Sequence, residues 1–339
     1  MYVFSRSAHA IGKRMRGFFA RAFQAGWGKK SMRGFRTDLA MECIDEGGGR
    51  VEGVRVSTHH LGGITHTRIR IEKERAAELL GRHTGEYITL EYRDLPRCDA
   101  HTQKLLAALV AQGVRSLLPR EGEVLVVGLG NRNVTADALG TRVVERMLVT
   151  RHLRQAMARE LRGRLRGVSA IAPGVLGLTG IETAELCRGL VRHVRPSAVI
   201  AIDALAAFES ERICTTVQIT DTGIEPGSGV GNHRLGLTEE TLGVKVIAVG
   251  VPMVVYASTI ARDAMARLID EYGLLARGHE EAAQQLLRQV SEGFLGDMVV
   301  TPREIDELVL HVAALLSDGI NQALQPDIDP DTLHTYIQG

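Results

Sequence analysis

Two aspartates stand where this chain could carry out acid–base chemistry. Asp137 ends a glycine loop that follows the apolar run at residues 123–128, and Asp203 directly follows another apolar run at residues 198–202. Each run predicts a buried parallel strand, and parallel strands bring the loops after them to one edge of the sheet. Two carboxyl groups that meet there resist double ionisation, so one can hold a proton while the other acts as a base toward water. The pattern fits peptide hydrolysis.

Each aspartate also has an ordinary structural interpretation. Asp137 could cap the helix predicted after it, and Asp203 could be a cap or a turn residue. A metal-dependent peptidase with both aspartates as ligands is a further alternative. The chain nevertheless lacks a paired-histidine zinc motif, and its four cysteines are scattered, so we expect no metal and no other cofactor.

Two glycine loops raise an alternative from another class, a nucleotide- or anion-binding module. Gly128 and Gly130 follow a strand as in a dinucleotide loop, but Asn133 occupies the position of the third glycine. The loop at residues 226–232 could cradle an anion with its backbone amides. In the peptidase hypothesis, Gly128, Gly130 and Asn131 are instead candidates to contact the substrate backbone or to donate amides to a developing oxyanion.

Composition limits the classes of protein to which this chain can belong. The 339 residues are 45% hydrophobic and 24% charged, as in ordinary globular proteins. The longest uncharged stretch, residues 246–261, is shorter than the roughly 20 residues of a membrane span, so no membrane association is expected. Scattered cysteines indicate a reducing, cytoplasmic setting. With one tryptophan and few other aromatic residues, no direct nucleic-acid binding is expected.

The charge distribution separates the beginning of the chain from the rest. Residues 1–37 contain nine lysines and arginines and no acidic residue, whereas the remainder has 32 basic and 40 acidic residues. This basic head could be a mobile extension, a removable pro-segment, or a surface or targeting helix. We therefore divide the chain into a basic extension (1–38), a strand-rich subregion (39–100), and a catalytic domain with C-terminal helices (101–339).

Hydrophobic patterning predicts the architecture of the last two parts. Apolar strands at residues 123–128, 168–172, 198–202 and 246–251 alternate with amphipathic segments, and a helix is expected directly after residue 251. Buried strands that alternate with helices indicate a largely parallel sheet with helices on both faces. The predicted fold is thus an α/β three-layer sandwich, with a β-rich subregion at its N-terminal side.

Six segments together resemble the germination proteases of endospore-forming bacteria. The similarity runs from about Phe35 to the C-terminus. The segments are residues 128–140 (GLGNRNVTADALG), 148–153 (LVTRHL), 172–183 (APGVLGLTGIET), 202–207 (IDALAA), 220–232 (TDTGIEPGSGVGN) and 298–302 (MVVTP).

The resemblance implies an endopeptidase that degrades small acid-soluble spore proteins during germination, in the cytoplasm of the developing spore and in the spore core. It also implies a homotetramer, synthesis as a zymogen that processes itself, and a fold similar to hydrogenase maturation proteases. The family is regarded as an atypical aspartic-type peptidase, and its two proposed catalytic aspartates correspond to Asp137 and Asp203.

The resemblance further implies a processing site between Asp38 and Leu39, next to the charge boundary found independently at Thr37. The chain departs from the family pattern at Phe208, where relatives usually have arginine five residues after the second aspartate. Loss of that positive charge would change the surroundings of the nearby carboxylate.

Overall fold

One mixed sheet organises the part of the chain that the structure describes. The structure is a computed structural model, and it describes residues 37–46, 51–153, 165–225, 235–261, 263–264 and 298–329. Within these residues nine strands form a single sheet with helices on both faces. The predicted α/β three-layer class is confirmed.

Half of the sheet is parallel. Its strands are β4 (Val124–Gly128), β5 (Val168–Ile171), β6 (Ala198–Ala207) and β8 (Lys245–Tyr256). β4 lies between β5 and β6, and β6 pairs with β8 on its other side. β4, β6 and β8 are buried along almost their whole length, which explains their continuous apolar sequences, whereas β5 at the edge of the sheet is buried only at Val168.

The other half is antiparallel and contains the strands of the N-terminal subregion. The strands of that subregion are β1 (Val54–Leu61), β2 (Ile64–Ile71) and β3 (Gly85–Glu91). The antiparallel half also contains β7 (Thr216–Thr220) and the short β9 (Val299–Val300). The sheet order is β1-β2-β3-β7-β8-β6-β4-β5, and β9 pairs with the end of β8. Because β3 pairs with β7, the N-terminal strands extend the same sheet.

The two faces of the sheet are covered by different helices. The bounds are α1 (Ala40–Glu46), α2 (Glu74–Leu80), α3 (Ala100–Leu117), α4 (Leu139–Val144), α5 (Leu176–Thr179), α6 (Thr183–Val194), α7 (Glu239–Leu242) and α8 (Ile305–Leu324). One face packs against α3, α4 and α8, and the opposite face packs against α6 and α7. α3 and α8 approach closely at Gly319, where a Cβ would lie 2.7 Å from the Val110 Cβ.

Two strands are longer than the sequence predicts. β6 continues past residue 202 to Ala207, and β8 continues past residue 251 to Tyr256, so the helix expected directly after residue 251 begins at residue 257 instead. The two extensions pair with each other. Their register shifts by one residue, because Leu205 pairs with Pro252 whereas Ala206 pairs with Val254. The end of β8 also pairs with β9, a partner too distant in sequence to be foreseen.

Candidate functional site

The glycine loop after β4 folds back on itself. Gly130 has φ +99°, and a Cβ on it would lie 1.9 Å from the Asp137 carbonyl oxygen, so only glycine fits this position. The Asn131 backbone N–H donates to Asp137 Oδ2 over 2.7 Å. The N-cap of α4 is Ala138, so Asp137 is not the capping residue that its spacing allowed. Its carboxylate instead binds the loop that precedes it.

The same loop is pressed against β6. The Leu129 N–H donates to the Ile202 carbonyl over 2.8 Å, which extends the pairing of β4 with β6 by one residue. A Cβ on Gly140, in the first turn of α4, would lie 2.3 Å from that carbonyl oxygen. The short 3₁₀ turn Thr135–Asp137 lies beside β6 and β8. Backbone contacts therefore connect the loop carrying Asp137 to the strand residue just before Asp203.

Asp203 lies within β6, not after it. It pairs with Gly250 of β8, is only 6% exposed, and comes one residue after the last β6 partner of β4. Its Oδ1 accepts the Ala204 N–H over 2.9 Å. The predicted position in a loop was wrong because β8 continues alongside β6. Asp203 nevertheless stands at the rim where β4 ends.

The predicted processing site also lies beside this part of β6. The Asp38 N–H donates to the Ala206 carbonyl over 3.0 Å, and Asp38 Oδ2 accepts the Ala206 N–H over 2.8 Å. Leu39 is fully buried against Leu205, Ala207 and Val255. The peptide bond between Asp38 and Leu39 is thus held against the extended end of the strand that carries Asp203.

Two side chains that sequence reasoning did not single out hold the same peptide. Gln218 of β7, 6% exposed, donates from Nε2 to the Asp38 carbonyl over 3.0 Å. Its Oε1 accepts the Ala40 N–H over 2.8 Å. Arg82 Nη2 donates to the Thr37 carbonyl over 2.6 Å. Gln218 lies in the middle of β7, and the sequence offered no means of pairing it with Asp38 and Ala40, about 180 positions earlier.

A buried carboxylate anchors the start of α1. Glu42 is 1% exposed and accepts the N–H groups of Phe208 and Glu209 at 2.8 and 2.9 Å. It also accepts the Thr37 hydroxyl, and Arg212 Nε lies 3.4 Å from its Oε1. Burial raises the pKa of Glu42, while the Thr37 hydroxyl and then the Arg212 charge oppose that rise.

The buried aromatic ring of Phe208 stands where the family resemblance leads one to expect arginine. The guanidinium of Arg212, four residues later, is buried instead and pairs with three carboxylates. These carboxylates belong to Glu42, Glu91 and Glu209.

Some sequence predictions fall on other parts of the chain. Residues 1–36 of the basic head and the second glycine loop, residues 226–232, lie outside the described residues. Among the residues that are described, no group of three or more His, Cys, Asp or Glu side chains is arranged to hold a metal ion. No helix in the same ranges is both long and apolar enough to span a membrane.

Comparison with known proteins identifies the family. Residues 37–290 match the sequence model described as germination protease. The chain belongs to the germination protease family. It is 45% identical over 318 residues to the germination protease of Caldanaerobacter subterraneus subsp. tengcongensis, covering 90% of this chain and 98% of that relative. It is 37% identical over 319 residues to that of Clostridium tetani, covering 89% and 99%.

As a germination protease, the chain is a peptidase that acts in spore germination. Among solved structures it is similar to a NiFe hydrogenase maturation protease from Thermococcus kodakarensis. That likeness has 15% identity and a TM-score of 0.30, covering 61% of this chain and 97% of the other.

Proposed function

We propose that the chain is an endopeptidase of atypical aspartic type in which Asp137 and Asp203 together activate water. The observation that carries the proposal is the contact between the Asp137 loop and β6. Leu129 and Gly140 both lie against the Ile202 carbonyl, one residue before Asp203. These backbone contacts fix the loop that carries Asp137 against the strand that carries Asp203.

In the proposed reaction, one carboxyl group of the pair is protonated and the other is ionised. The ionised group takes a proton from water as the water oxygen attacks the scissile carbonyl carbon. The carbon–nitrogen bond then breaks, and the leaving nitrogen receives the proton of the second carboxyl group. Because a coupled pair shares its titration, we assign the two roles to the pair and not to individual residues.

The loop amides have distinct parts in this proposal. The Asn131 N–H already donates to Asp137 Oδ2, so we assign it to orienting that carboxylate. Gly128 and Gly130 remain the candidates to approach substrate, and the packing of the loop against Gly140 and Asp137 separately requires glycine at both positions. The hydrogen bond between the Asn131 N–H and Asp137 weakens the anion-binding alternative, because this backbone amide already binds the chain's own carboxylate.

We further propose that the chain is a zymogen that cleaves itself between Asp38 and Leu39. This cleavage would release a head with nine basic residues and no acidic residue up to Thr37. Family membership supports small acid-soluble spore proteins as substrates, a homotetramer as the assembly, and the developing spore and spore core as the location.

The decisive experiment follows the purified full-length chain by mass spectrometry and N-terminal sequencing. The wild-type chain should gain Leu39 as its new N-terminus, whereas Asp137→Asn and Asp203→Asn should each abolish processing and substrate cleavage. Unchanged cleavage by either variant would refute the dyad. Loss of activity with a chelator, restored by one metal ion, would favour the metal-dependent alternative.

A further inference from the structure

The Asp38–Leu39 peptide bridges two strands that do not pair with each other. Asp38 bonds to Ala206 of β6 through its N–H, and to Gln218 of β7 through its carbonyl. β8 lies between these strands in the sheet, so the peptide crosses over β8. The bond that the proposed function cleaves is therefore seated on the sheet face.

The crossing point is aligned with Asp203. Asp203 pairs with Gly250 of β8, and Gly250 pairs with Gln218 of β7, which places the three residues in one row across the sheet. Directly paired residues present their side chains on the same face. At about 4.8 Å between neighbouring strands, the Cα atoms of Asp203 and Gln218 are about 10 Å apart. Between them stands Gly250, whose missing side chain makes room for the side chain of Leu205, with Cγ 2.6 Å from where a Cβ would lie.

The side-chain amide of Gln218 has a fixed orientation. Its two partners are the Ala40 N–H, which can only donate, and the Asp38 carbonyl, which can only accept. The oxygen must therefore face Ala40 and the nitrogen must face Asp38. A buried N–H donor is thus aimed at the carbonyl oxygen of the bond to be cleaved.

Every backbone polar group next to this bond has a partner. Arg82 donates to the carbonyls of Thr37 and Leu39 at 2.6 and 3.4 Å, and the Leu39 N–H donates to Thr37 Oγ1 over 3.0 Å. These hydrogen bonds hold the segment in one conformation, as positioning for a reaction requires.

We propose that Gln218 is a catalytic residue for self-processing, and that its Nε2–H group binds the Asp38 carbonyl oxygen and stabilises the negative charge that develops there. The proposal rests on the proposed self-cleavage and adds to it the donor that the aspartate pair lacks. As water attacks the Asp38 carbonyl carbon, the carbonyl electrons move onto the oxygen facing Gln218. A preorganised donor at that position typically contributes on the order of 10²-fold in rate.

Two variants and one matched control test this role in the full-length chain. Gln218→Met and Gln218→Glu both remove the donor, and the second nearly preserves shape. We expect each to slow the appearance of the Leu39 N-terminus by on the order of 10²-fold. The control is Thr89→Val, because Thr89 pairs directly with Gln218, is fully buried, and its hydroxyl has no hydrogen-bond partner among the described residues. The control should process at the wild-type rate.

The pH profile of processing by Gln218→Glu shows whether residue 218 acts as a hydrogen-bond donor or only packs. This measurement remains informative if Gln218→Met fails to fold. In Gln218→Glu the introduced carboxyl group regains an O–H donor when it is protonated. Its processing rate, taken relative to wild type at each pH, should therefore recover as the pH falls toward about 4 to 5.

The outcomes of these experiments test the role of Gln218 separately from the proposed self-cleavage. A wild-type chain that does not cut itself at Asp38–Leu39 would remove the processing step of the proposed function. A wild-type chain that cuts itself there, together with a folded Gln218→Met that processes equally fast, would overturn only the role of Gln218. Slow processing by Gln218→Glu without recovery at low pH would also overturn it.

Discussion

Gly140 and Ile202 are in backbone contact: a Cβ on the glycine would lie 2.3 Å from the isoleucine carbonyl oxygen and 2.5 Å from the Leu129 nitrogen. The relationship fixes α4, and the loop before it, against the strand that carries Asp203. No rotamer change can relieve a clash with backbone atoms. The contact therefore supports a prediction about both stability and activity.

Gly140→Ala should impair the enzyme even though alanine is the better helix former. The added methyl group would push α4 away from β6 and disturb the geometry of Asp137 and Asp203, with a stability loss of about 1–3 kcal/mol. Gly189→Ala is the matched control, because Gly189 lies inside α6 and has nothing within 4 Å of its Cβ position. The control should be neutral or more stable by up to about 1 kcal/mol. Chemical denaturation and processing assays on both variants check this, and equal behaviour would contradict it.

The burial of Glu42 predicts that the protein loses stability as the pH rises above the acidic range. Its folded-state pKa is raised above 4.5 by burial, so folding favours its protonated form. The stabilisation is fully present below pH 4.5, the unfolded value, and is lost as the pH rises through the raised folded pKa. The free energy of unfolding of the wild type should therefore fall relative to Glu42→Gln as the pH rises from about 4 to 7.

Urea titrations at several pH values measure this difference, with both proteins carrying Asp203→Asn so that processing does not change the species. Groups that do not contact Glu42 or its partner Arg212 are the same in both proteins, so the difference between the curves reports on Glu42 and its immediate partners. A constant difference, or one of opposite slope, would show that burial does not dominate the environment of this carboxylate.

Leu39 should contribute strongly to the stability of the unprocessed chain. It is fully buried against Leu205, Ala207 and Val255, so Leu39→Ala should leave a cavity and cost about 2–5 kcal/mol. Leu178→Ala is the control, since Leu178 is 62% exposed, and should change stability by less than about 0.5 kcal/mol. Thermal and urea unfolding of the Asp203→Asn forms provide the comparison. Similar effects of the two substitutions would mean that residue 39 is not anchored.

The buried cysteines should resist alkylation until the protein unfolds. Burial raises the pKa of Cys187 to about 11 and that of Cys214 to about 12, so little of the reactive thiolate forms near neutral pH. Cys98 is partly exposed, and its pKa is raised chiefly by its own partial burial. In native protein treated with iodoacetamide, peptide mapping should find Cys98 modified before Cys187 and Cys214. In denaturant all three should react alike. Early labelling of Cys187 or Cys214 would contradict their burial in the core.

Local patterning predicted the sheet much better than the surroundings of the site. The continuous apolar runs that became β4 and β6 were evident, and so was the rim at which Asp137 and Asp203 were expected. The ends of β6 and β8 were not predictable, because each extension is stabilised by pairing with the other and with β9.

Residues that act through distant contacts left no local signal. Gln218 lies in an ordinary strand and Arg82 in the loop after a short helix, and only the fold brings them to the peptide at residues 38–39. The resemblance to known proteases identified which bond to examine, but no short motif could indicate which side chains hold it.

The seating of the Asp38–Leu39 bond on its own chain has a consequence for timing. If the proposed self-cleavage breaks this bond within the same chain, it need not wait for an encounter with another molecule, and maturation should follow first-order kinetics. Its half-time is then the same in a dilute sample as in a crowded compartment. Under the proposed self-cleavage, control over when the enzyme is released would then act on conformation or on the surrounding medium, because raising or lowering the amount of protein would leave the rate constant unchanged.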